Sequence, residues 1–468
     1  MPDQSLRPFL DKLEEAGELI RFSKPVNPVE NMSAIEWKAY DELGKASLFD
    51  NIEGYPGWTA CSQIFADRRK WAIGLGFKEE QLLDEISKRL RRPVETVEVG
   101  RDKAPVKEVV ITGDNINLYD IPAMKVSEKD AGRFIASGMA VVKDPETGVR
   151  NVSIHRQQIH AKDRTGFVMV PRHARRIYDK YSSQGKAMPV AMVVGAHPAI
   201  FFGSAFTTAF GIDELTLAGS LLDEGIRMVK CETCDIEVPA DAEMVIEGEV
   251  LPGHQKEAEG PFGEVPGTYA EAGMAHIFKV KAITHRRNPI YYALHCGFPV
   301  TDTQAVTSLG IEVATREHLK MVEGGLDLKD VRCLTTSGLM MIVLKMRPRV
   351  EGQAKTALLA ALSGPYLHPK LAVAVDDDID AGDLRQVIWS MTTRVHAERD
   401  VHVIPNTRVF ALDNISPMVP GIDTFQRVGS KWLIDATIPN VGNEEARARF
   451  EKAMPLNYDT VKLSDFLP

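Results

Sequence analysis

Apolar residues in the first hundred positions recur mainly at the spacing of helices that bury one face. Short strand-like runs lie between them, and the pattern ends in the charged, proline-containing segment 101–107. We therefore expect a first α/β domain over residues 1–107. The residues that carry the helical pattern are Phe9, Leu10, Leu13 and Leu19, and then Leu82, Leu83, Ile86 and Leu90.

Beyond residue 108 the pattern changes to many short runs that favour β-strands. Segment 189–195 is apolar throughout and predicts a buried strand, whereas 274–284 alternates in part and predicts a half-exposed strand. Residues 188–212 are uncharged, but proline and glycine interrupt them, which indicates a buried strand and a loop rather than a membrane span. We expect a closed or two-layer β domain over residues 108–306. Its predicted strands are 108–112, 136–143, 148–156, 166–170, 189–195, 243–251, 274–284 and 289–296, with helices only at about 172–184 and 213–225.

After Thr307 helical and strand patterns alternate, which is typical of an α/β domain with a mostly parallel sheet. This third domain is expected over residues 307–468. Its predicted elements are helix 312–324, strand 338–346, helix 352–363, strand 370–376, helix 382–394 and, in an irregular tail, helix 443–454.

Composition narrows the class of protein. The 468 residues are 44% hydrophobic and 26% charged, with a net charge of −9, as in ordinary soluble globular proteins. No basic field for nucleic acid or anionic lipid follows from this charge. The polar start lacks an apolar signal core, so we expect a cytoplasmic protein. Five cysteines are too few for a disulfide framework and should be reduced.

Segment 256–267, Lys-Glu-Ala-Glu-Gly-Pro-Phe-Gly-Glu-Val-Pro-Gly, holds carboxylates in a stretch that we interpret as too rich in glycine and proline for helix or strand. Such a loop can aim Glu259 and Glu264 into a cavity, as catalytic acids are often mounted. A surface turn with solvated glutamates explains the same residues without chemistry. Taken alone, the segment leaves both interpretations open.

Three further polar residues could join a site in the β domain. Asn151 lies five residues before Arg156 in strand 148–156, so both reach one site only through a bulge or from the strand end. His173 opens a helix, and Glu214 lies in the first turn of another, where capping and the helix dipole also explain them. Together Asn151, His173 and Glu214 form a hard, mixed ligand set that suits Mg²⁺ or Mn²⁺ better than Zn²⁺.

Other motifs carry less information. Cys231-Glu-Thr-Cys234 is a CxxC pair without a second pair or a histidine pair at finger spacing, so we expect neither a zinc nor a redox role. Asp376-Asp-Asp378 follows an apolar strand and precedes a helix, where capping and solvation account for it. The sequence contains no Walker loop, no dinucleotide fingerprint after a strand, no GxSxG elbow and no HExxH.

Four motifs follow one another along the β domain: Asn151-Val-Ser-Ile-His-Arg156, Pro171-Arg-His173, Gly211-Ile-Asp-Glu214 and Glu259-Gly-Pro-Phe-Gly-Glu264. Taken in this order, they resemble the UbiD-like decarboxylases that use prenylated FMN. The resemblance extends over about residues 110–420 and includes Val229–Pro239 and Asp376–Asp380. It implies an N-terminal α/β domain, a central FMN-binding split β-barrel and a C-terminal α/β oligomerisation domain, assembled as a homodimer or homohexamer.

The resemblance also implies roles for individual residues. Arg156, Glu259 and Glu264 match the catalytic set of the family, while Asn151, His173 and Glu214 match the ligands of a Mn²⁺ or Mg²⁺ ion that holds the cofactor phosphate, with K⁺ or Na⁺ nearby. The cofactor-lining positions are Asn151, Ser153, Ile154, His155, Arg156, Arg172, His173, Ser204, Ala205, Phe206 and Glu214. The substrate-facing positions are His295, Thr301, Ala305 and Leu367, with Phe206 and Phe298 as further apolar walls.

The implied reaction is the reversible, non-oxidative decarboxylation of an aromatic, heteroaromatic or α,β-unsaturated acid, with CO₂ as product. Loss of CO₂ from an sp² carbon leaves an anion that no ordinary side chain stabilises, and the modified flavin supplies that electron sink. Arg156 would hold a carboxylate by a two-pronged pair, and Glu264, kept neutral by desolvation and by Glu259, would donate the proton. A flavin prenyltransferase is the expected supplier of the cofactor.

Two alternatives belong to other classes. The chain could be one subunit of a multi-component aromatic carboxylase, although its complete catalytic and metal sets argue against lost chemistry. It could also be a flavin oxidoreductase, which would need a site for an electron donor, and no nicotinamide fingerprint is visible.

Overall fold

A computed structural model describes residues 3–253, 255–322, 325–420 and 426–467. The N-terminal elements are α1 (Arg7–Glu15), β1 (Leu19–Phe22), α2 (Met32–Leu43), β2 (Ala46–Phe49), β3 (Thr59–Ser62), α3 (Arg68–Leu75), α4 (Leu82–Arg89) and β4 (Val97–Glu98). The central elements are β5 (Val109–Thr112), β6 (Phe134–Ile135), β7 (Met139–Lys143), β8 (Arg150–Ile154), β9 (Gln157–Ala161), β10 (Arg164–Phe167), α5 (His173–Ser182), β11 (Met188–Val194), α6 (Pro198–Ala205), α7 (Glu214–Leu222), β12 (Arg227–Lys230), β13 (Glu237–Pro239), β14 (Met244–Val250), β15 (Lys256–Glu259), β16 (Phe262–Gly263), β17 (Tyr269–Ala270), β18 (Gly273–His285) and β19 (Ile290–Tyr292). The C-terminal elements are α8 (Asp302–Leu319), β20 (Leu328–Cys333), β21 (Met341–Met346), α9 (Gln353–Leu362), β22 (Leu371–Val375), α10 (Leu384–Thr393), α11 (Ala397–Asp400), β23 (Val401–Val409), β24 (Arg427–Ala436) and α12 (Glu444–Arg447).

The N-terminal region is built on a four-stranded sheet in the order β1-β2-β3-β19. Its last strand comes from the end of the central region, so the two regions share a sheet. They also share one hydrophobic core, in which Phe65 stacks on Phe9, Trp71 and Phe201 with ring centroids 4.4–5.3 Å apart. This common core fixes the N-terminal helices against the side of the central sheet.

The central region is a ten-stranded sheet in which β6-β9-β10-β18-β14-β11-β7-β8 form the main path. Its two end portions are adjacent in the chain, because β8 ends at Ile154 and β9 begins at Gln157. Only His155 and Arg156 join them, so the sheet must curl until its ends lie side by side. Arg156 therefore lies where the curled sheet is split.

Several features of the central sheet agree with the sequence pattern. Every residue of β11 except Pro189 is buried, and β18 alternates in part between buried and exposed positions, as predicted. Helix α6 was not predicted, because residues 198–205 were interpreted as loop. That interpretation is wrong: Pro198 occupies the first turn, and His197 caps the helix by accepting the backbone N–H of Ala199 at 3.1 Å. Burial on all sides removes the amphipathic period that would have revealed the helix.

Segment 256–267 is also more regular than predicted. Lys256–Glu259 forms β15, which pairs antiparallel with β18 and places Glu259 opposite Gly273, and Phe262–Gly263 forms the short β16. A partner strand distant in sequence has overridden the local turn signals. The expectation that this stretch holds neither helix nor strand was therefore wrong, although turns do connect the strands.

The C-terminal region contains a five-stranded sheet in the order β20-β21-β22-β24-β23. Its three inner strands are parallel, and both edge strands pair antiparallel, so the sheet is less parallel than predicted. Helix α8 begins at Asp302 rather than residue 312, because Thr301 and Gln304 form a capping box there. Of the predicted helix 443–454, only Glu444–Arg447 is α-helical, followed by a 3-10 turn.

These regions give a mixed α/β multidomain fold, as the pattern predicted. The domain boundaries at residues 107 and 306 stay predictions, and β4 already pairs with β12 of the central region. Within the described ranges, no helix combines the length and apolar character needed to cross a membrane. All five cysteines are free thiols.

Candidate active site

The central feature of the candidate site is a two-pronged ion pair between Arg156 and Glu259. Nε and Nη2 of Arg156 donate to the two carboxylate oxygens of Glu259, each at 2.9 Å. The Glu259 side chain is only 2% exposed, and the Arg156 side chain is 17% exposed. The guanidinium also lies 5.1 Å from the centre of the Phe262 ring. A planar guanidinium held in this way has one edge left for a second acceptor.

Glu264 contacts that remaining edge, through Nη1 of Arg156. The structure thus brings together all three residues of the predicted catalytic set, although they come from separate strands and turns. The turn at Gly267 has a φ of 86°, which glycine adopts without strain. Its amide donates to the carbonyl of Glu264 at 2.8 Å, which fixes the backbone at this residue.

Residues outside the predicted set hold the glutamate loop in place. Asp130 accepts the amide of Gly263 at 2.9 Å, and Gln304 on α8 donates to the carbonyl of Val265 at 2.8 Å. A Cβ added at Gly338 would lie 2.7 Å from the Pro266 carbonyl, so the C-terminal region approaches this loop closely. The central and C-terminal regions therefore both hold the loop that carries Glu264.

The predicted metal ligands gather at the opposite end of β8. Nδ2 of Asn151 donates to Glu214 Oε1 at 2.9 Å, and His173 and Asn151 line the same small cavity of about 10 Å³. Oδ1 of Asn151 is buried without a hydrogen-bond partner among the described residues. Burial raises the pKa of Glu214 to about 7. A hard cation bound here would accept the unsatisfied oxygen of Asn151 as a ligand and would stabilise the charged form of the buried Glu214 carboxyl.

Two arginines beside this cluster are suited to an anion. Arg172 and Arg176 make no ion pair with a carboxylate in the described part of the chain. Arg172 donates to the hydroxyl of Thr207 at 3.4 Å, and the Arg176 guanidinium lies 4.0 Å from the centre of the Phe210 ring. Free guanidinium groups next to a hard ligand set suit a phosphate and its cation.

The expected lining residues occupy β8 and the end of α6. Ser153 lies 2.9 Å from His155 Nε2, and His155 Nδ1 lies 3.0 Å from the Val168 carbonyl. The carbonyl can only accept, so Nδ1 carries the proton and Nε2 accepts from Ser153. Ile154 lies between them at the end of β8. Ser204, Ala205 and Phe206 form the last residues of α6 and its C-cap.

Of the four predicted substrate positions, His295 has the most informative surroundings. Its Nδ1 lies 2.8 Å from Oε1 of Glu36, which is completely buried, and Ser33 Oγ lies 3.4 Å away. Burial raises the pKa of Glu36 and lowers the pKa of His295 to about 4. Both shifts favour a neutral pair, in which one shared proton lies between the carboxyl and the ring.

Glu36 was missed at the level of sequence. A signal was present, because Met32, Glu36 and Ala39 lie on one buried face of α2, where a carboxyl is out of place without a partner. The partner, His295, is 259 residues away. No local pattern identifies such a contact.

The other substrate positions have less direct surroundings. Thr301 is fully buried and caps α8, and Ala305 lies one turn further along the same helix. Leu367 is half-buried, whereas Phe298 is 67% exposed and contacts the edge of Trp37. Their roles toward a substrate stay predictions, and Thr301 has a sufficient structural role as a helix cap.

Comparison with known protein families divides the chain into three successive parts, much as the fold does. Family models for 3-octaprenyl-4-hydroxybenzoate carboxy-lyase match in succession: the N-terminal domain at residues 10–90, the Rift-related domain at 97–299 and the C-terminal domain at 306–436. The chain belongs to the UbiD family. This UbiD-family protein is therefore a carboxy-lyase, and the resemblance seen in its motifs is confirmed.

Full-length relatives agree with that assignment. The UbiD-family chain is 34% identical over 455 residues to a phenolic acid decarboxylase from Sedimentibacter hydroxybenzoicus, covering 93% of this chain and 92% of the relative. The UbiD-class enzyme HmfF from Pelotomaculum thermopropionicum, solved in complex with FMN, superposes with a TM-score of 0.89 at 35% identity, covering 99% and 100% of the two chains. An evolved dimeric form of HmfF in complex with prFMN gives a TM-score of 0.86 at 33% identity, with coverage of 99% and 100%.

Proposed function

We propose that this protein is a prenylated-FMN-dependent, reversible decarboxylase of an aromatic, heteroaromatic or α,β-unsaturated carboxylic acid. The observation that carries the proposal is the Glu259–Arg156–Glu264 arrangement at the split of the curled sheet, in a chain of this family. A buried guanidinium between two carboxyl groups can hold one carboxylate and exchange its contact with the other. That is the arrangement required beside an acid that loses CO₂ and gains a proton.

The cofactor would lie along β8, with its phosphate at one end and its reactive ring at the other. Asn151, His173 and Glu214 would hold a Mn²⁺ or Mg²⁺ ion on the phosphate, with K⁺ or Na⁺ nearby, and Arg172 would add a guanidinium. The orphaned Asn151 Oδ1 and the desolvated Glu214 support this placement, because a cation satisfies both. Asn151 and Arg156 are five residue steps apart, which in extended chain spans at most about 17 Å.

Bound there, prenylated FMN would supply the electron sink for the carbon that loses CO₂. The residues of this chain bind the acid, orient it and return a proton. Arg156 pairs with the departing carboxylate, and Glu259 keeps the guanidinium in one plane. As the substrate carboxylate takes over the Nη1 edge, Glu264 loses its cationic partner. In a desolvated site the neutral form is then favoured, and Glu264 takes up one proton from solvent. Glu264 then donates its proton to the carbon.

The substrate wall would include His295, Thr301, Ala305 and Leu367. Glu36 fixes the orientation of His295, so its Nε2 is available to a polar substituent or heteroatom of the acid. Decarboxylation of phenolic acids by the relative from Sedimentibacter hydroxybenzoicus supports an aromatic acid as substrate. We further propose a homodimer or homohexamer in the cytoplasm, with a flavin prenyltransferase as cofactor supplier.

The test is a comparison of Glu264→Gln with Glu257→Gln, after co-expression with a flavin prenyltransferase. Glu257 lies on β15 and pairs with Arg164 away from Arg156, so its replacement is a matched control. We expect E264Q to retain the flavin, seen by absorbance and mass, and to lose CO₂ release at least about 100-fold over a panel of aromatic acids. E257Q should match the wild type in both.

Two results would contradict the proposal. Full turnover by E264Q would remove Glu264 as proton donor. Extraction of only unmodified FMN, or of no flavin, from wild-type protein after the same co-expression would contradict the assignment of prenylated FMN as cofactor.

A further inference from the structure

The loop between β12 and β13, residues 231–236, contains the CxxC pair that the sequence analysis set aside. Sγ of Cys231, Sγ of Cys234 and a carboxylate oxygen of Glu247 all lie within 4.8 Å of one another. Both thiols are partly exposed, whereas Cys61, Cys296 and Cys333 are buried. We propose that Cys231 and Cys234 form a redox-active dithiol that exchanges with low-molecular-weight disulfides, independently of the decarboxylase site.

Glu247 builds the cradle for this loop. Its Oε1 accepts the amide of Glu232 at 2.9 Å and Nζ of Lys107 at 2.9 Å. Its Oε2 accepts the amide of Thr233 at 2.9 Å and the hydroxyl of the same residue at 3.0 Å. The Glu247 side chain has no exposed surface. A buried carboxylate with four donors holds the turn between the cysteines in one conformation.

The same contacts argue against a metal at this place. Each oxygen of Glu247 already receives two hydrogen bonds, which occupy the lone pairs that a metal would need. Structural zinc sites use four protein ligands, and among the residues that the structure describes around this loop only the two thiols are free to serve. The donor set therefore favours exchange between the two sulfurs over coordination.

The two sulfurs differ in the way that exchange chemistry requires. The thiol of Cys231 hydrogen-bonds Cys234, and this contact, with the amide of Ile236 and the charge of Lys107, holds the pKa of Cys234 below its usual range. The same hydrogen bond and burial raise the pKa of Cys231. Cys234 is the nucleophile in this arrangement and Cys231 the resolving thiol.

The exchange proceeds in two balanced steps. The Cys234 thiolate attacks one sulfur of a small disulfide, forms a mixed disulfide and expels one thiolate. Cys231 then loses its proton and attacks Sγ of Cys234, which closes the intramolecular disulfide and expels the second thiolate. The protein loses two electrons and two protons, and the small disulfide becomes two thiols. Closure needs rotation of the side chains, because a disulfide joins sulfurs about 2 Å apart.

The experiment uses the full-length chain, reduced and then equilibrated in mixtures of reduced and oxidised glutathione under native conditions. We expect wild type to lose the mass of two hydrogen atoms, and peptide mapping to find a Cys231–Cys234 disulfide. Cys234→Ser should form no intramolecular disulfide. Cys231→Ser should accumulate glutathione on Cys234, and loss of its hydrogen bond should slow alkylation of Cys234 about tenfold for each unit by which the pKa rises.

Three results would overturn the inference. The first is wild-type protein that stays reduced in every glutathione mixture, although both thiols react with an alkylating agent. The other two concern the products found on the cysteines. Glutathione could remain on wild-type Cys234 without closure. Purified protein could hold zinc in a one-to-one ratio that is lost in C231S and C234S, which would make the pair a metal site. None of these measurements depends on decarboxylase activity, so this inference and the proposed function fail separately.

Discussion

Replacement of Arg156 by lysine separates the geometry of the proposed catalytic cation from its charge. Arginine donates two hydrogen bonds to Glu259 at 2.9 Å and contacts Glu264 through its third nitrogen. Lysine keeps the positive charge but cannot hold both carboxyl groups in one plane. Loss of one hydrogen bond to a charged group costs about 1.5–3 kcal/mol. Expressed as transition-state stabilisation, this lowers kcat/KM by about 10- to 150-fold.

The assay is CO₂ release by prenylated-flavin-loaded R156K, on an aromatic acid that the wild type decarboxylates. Arg164→Lys is the control, because Arg164 also donates to a glutamate on β15 at 2.9 Å but its side chain is 43% exposed. Pairs that are this exposed contribute little, so kcat/KM of R164K should stay within about twofold of wild type. If R156K stayed within the same twofold limit with a full flavin content, the planar contact would not matter and the reasoning would be refuted.

Two further replacements test groups away from the catalytic ion pair. Glu36→Ala removes the nearest partner of the buried Nδ1 of His295, so we expect a loss of about 1–3 kcal/mol in transition-state stabilisation. Glu36→Gln keeps a group that can donate to this nitrogen and should recover most of the loss. Equal kcat/KM in E36A and wild type would show that the pair does not position the ring. Asp302 accepts the amides of Ile64 and Phe65, and burial raises its pKa to about 7, above the unfolded value near 3.9. Its contribution to the free energy of unfolding is therefore complete below about pH 4 and is lost as the pH rises through 7, by up to about 4 kcal/mol. Thermal unfolding of wild type and Asp302→Asn at pH 5 and pH 8 should show the larger loss of stability in wild type, and equal losses would contradict this account.

Most of the regular elements followed from local periodicity, because one face of each is buried and the other is solvated. The buried strand at 189–195 and the partly alternating strand at 274–284 both lie where predicted. Helix α6 was not predicted because all of its sides are buried, which removes the helical period. The start of α8 was placed too late because the cap at Thr301 was not recognised. The prediction of a long helix in the tail was wrong because the segment has an asparagine cap but no apolar face to bury, so only one turn of α-helix forms.

The candidate site also contains some residues that the sequence identified and others that only the structure revealed. The motifs identified Arg156, Glu259 and Glu264. In the structure two hydrogen bonds join Arg156 to Glu259, and an ion-pair contact joins it to Glu264. Glu36 was missed because its contact is with His295, 259 residues away. The CxxC pair was visible in the sequence, but its anchoring by Glu247 was not, since β14 reaches the loop only after folding.

The sequence by itself determined the side chains that the chain can offer: a glutamate-rich turn, an arginine between two strands and a set of oxygen and nitrogen donors that would suit a hard cation. The order of these motifs also determined the family. Tertiary structure alone decided which groups meet, because the sheet must curl before Arg156 can face both glutamates. Hydrophobic periodicity specifies which face of an element is buried, but it does not specify which distant element covers that face. By sequence alone Glu259 and Glu264 could have been solvated turn residues. The curled sheet brings both of them onto the guanidinium of Arg156.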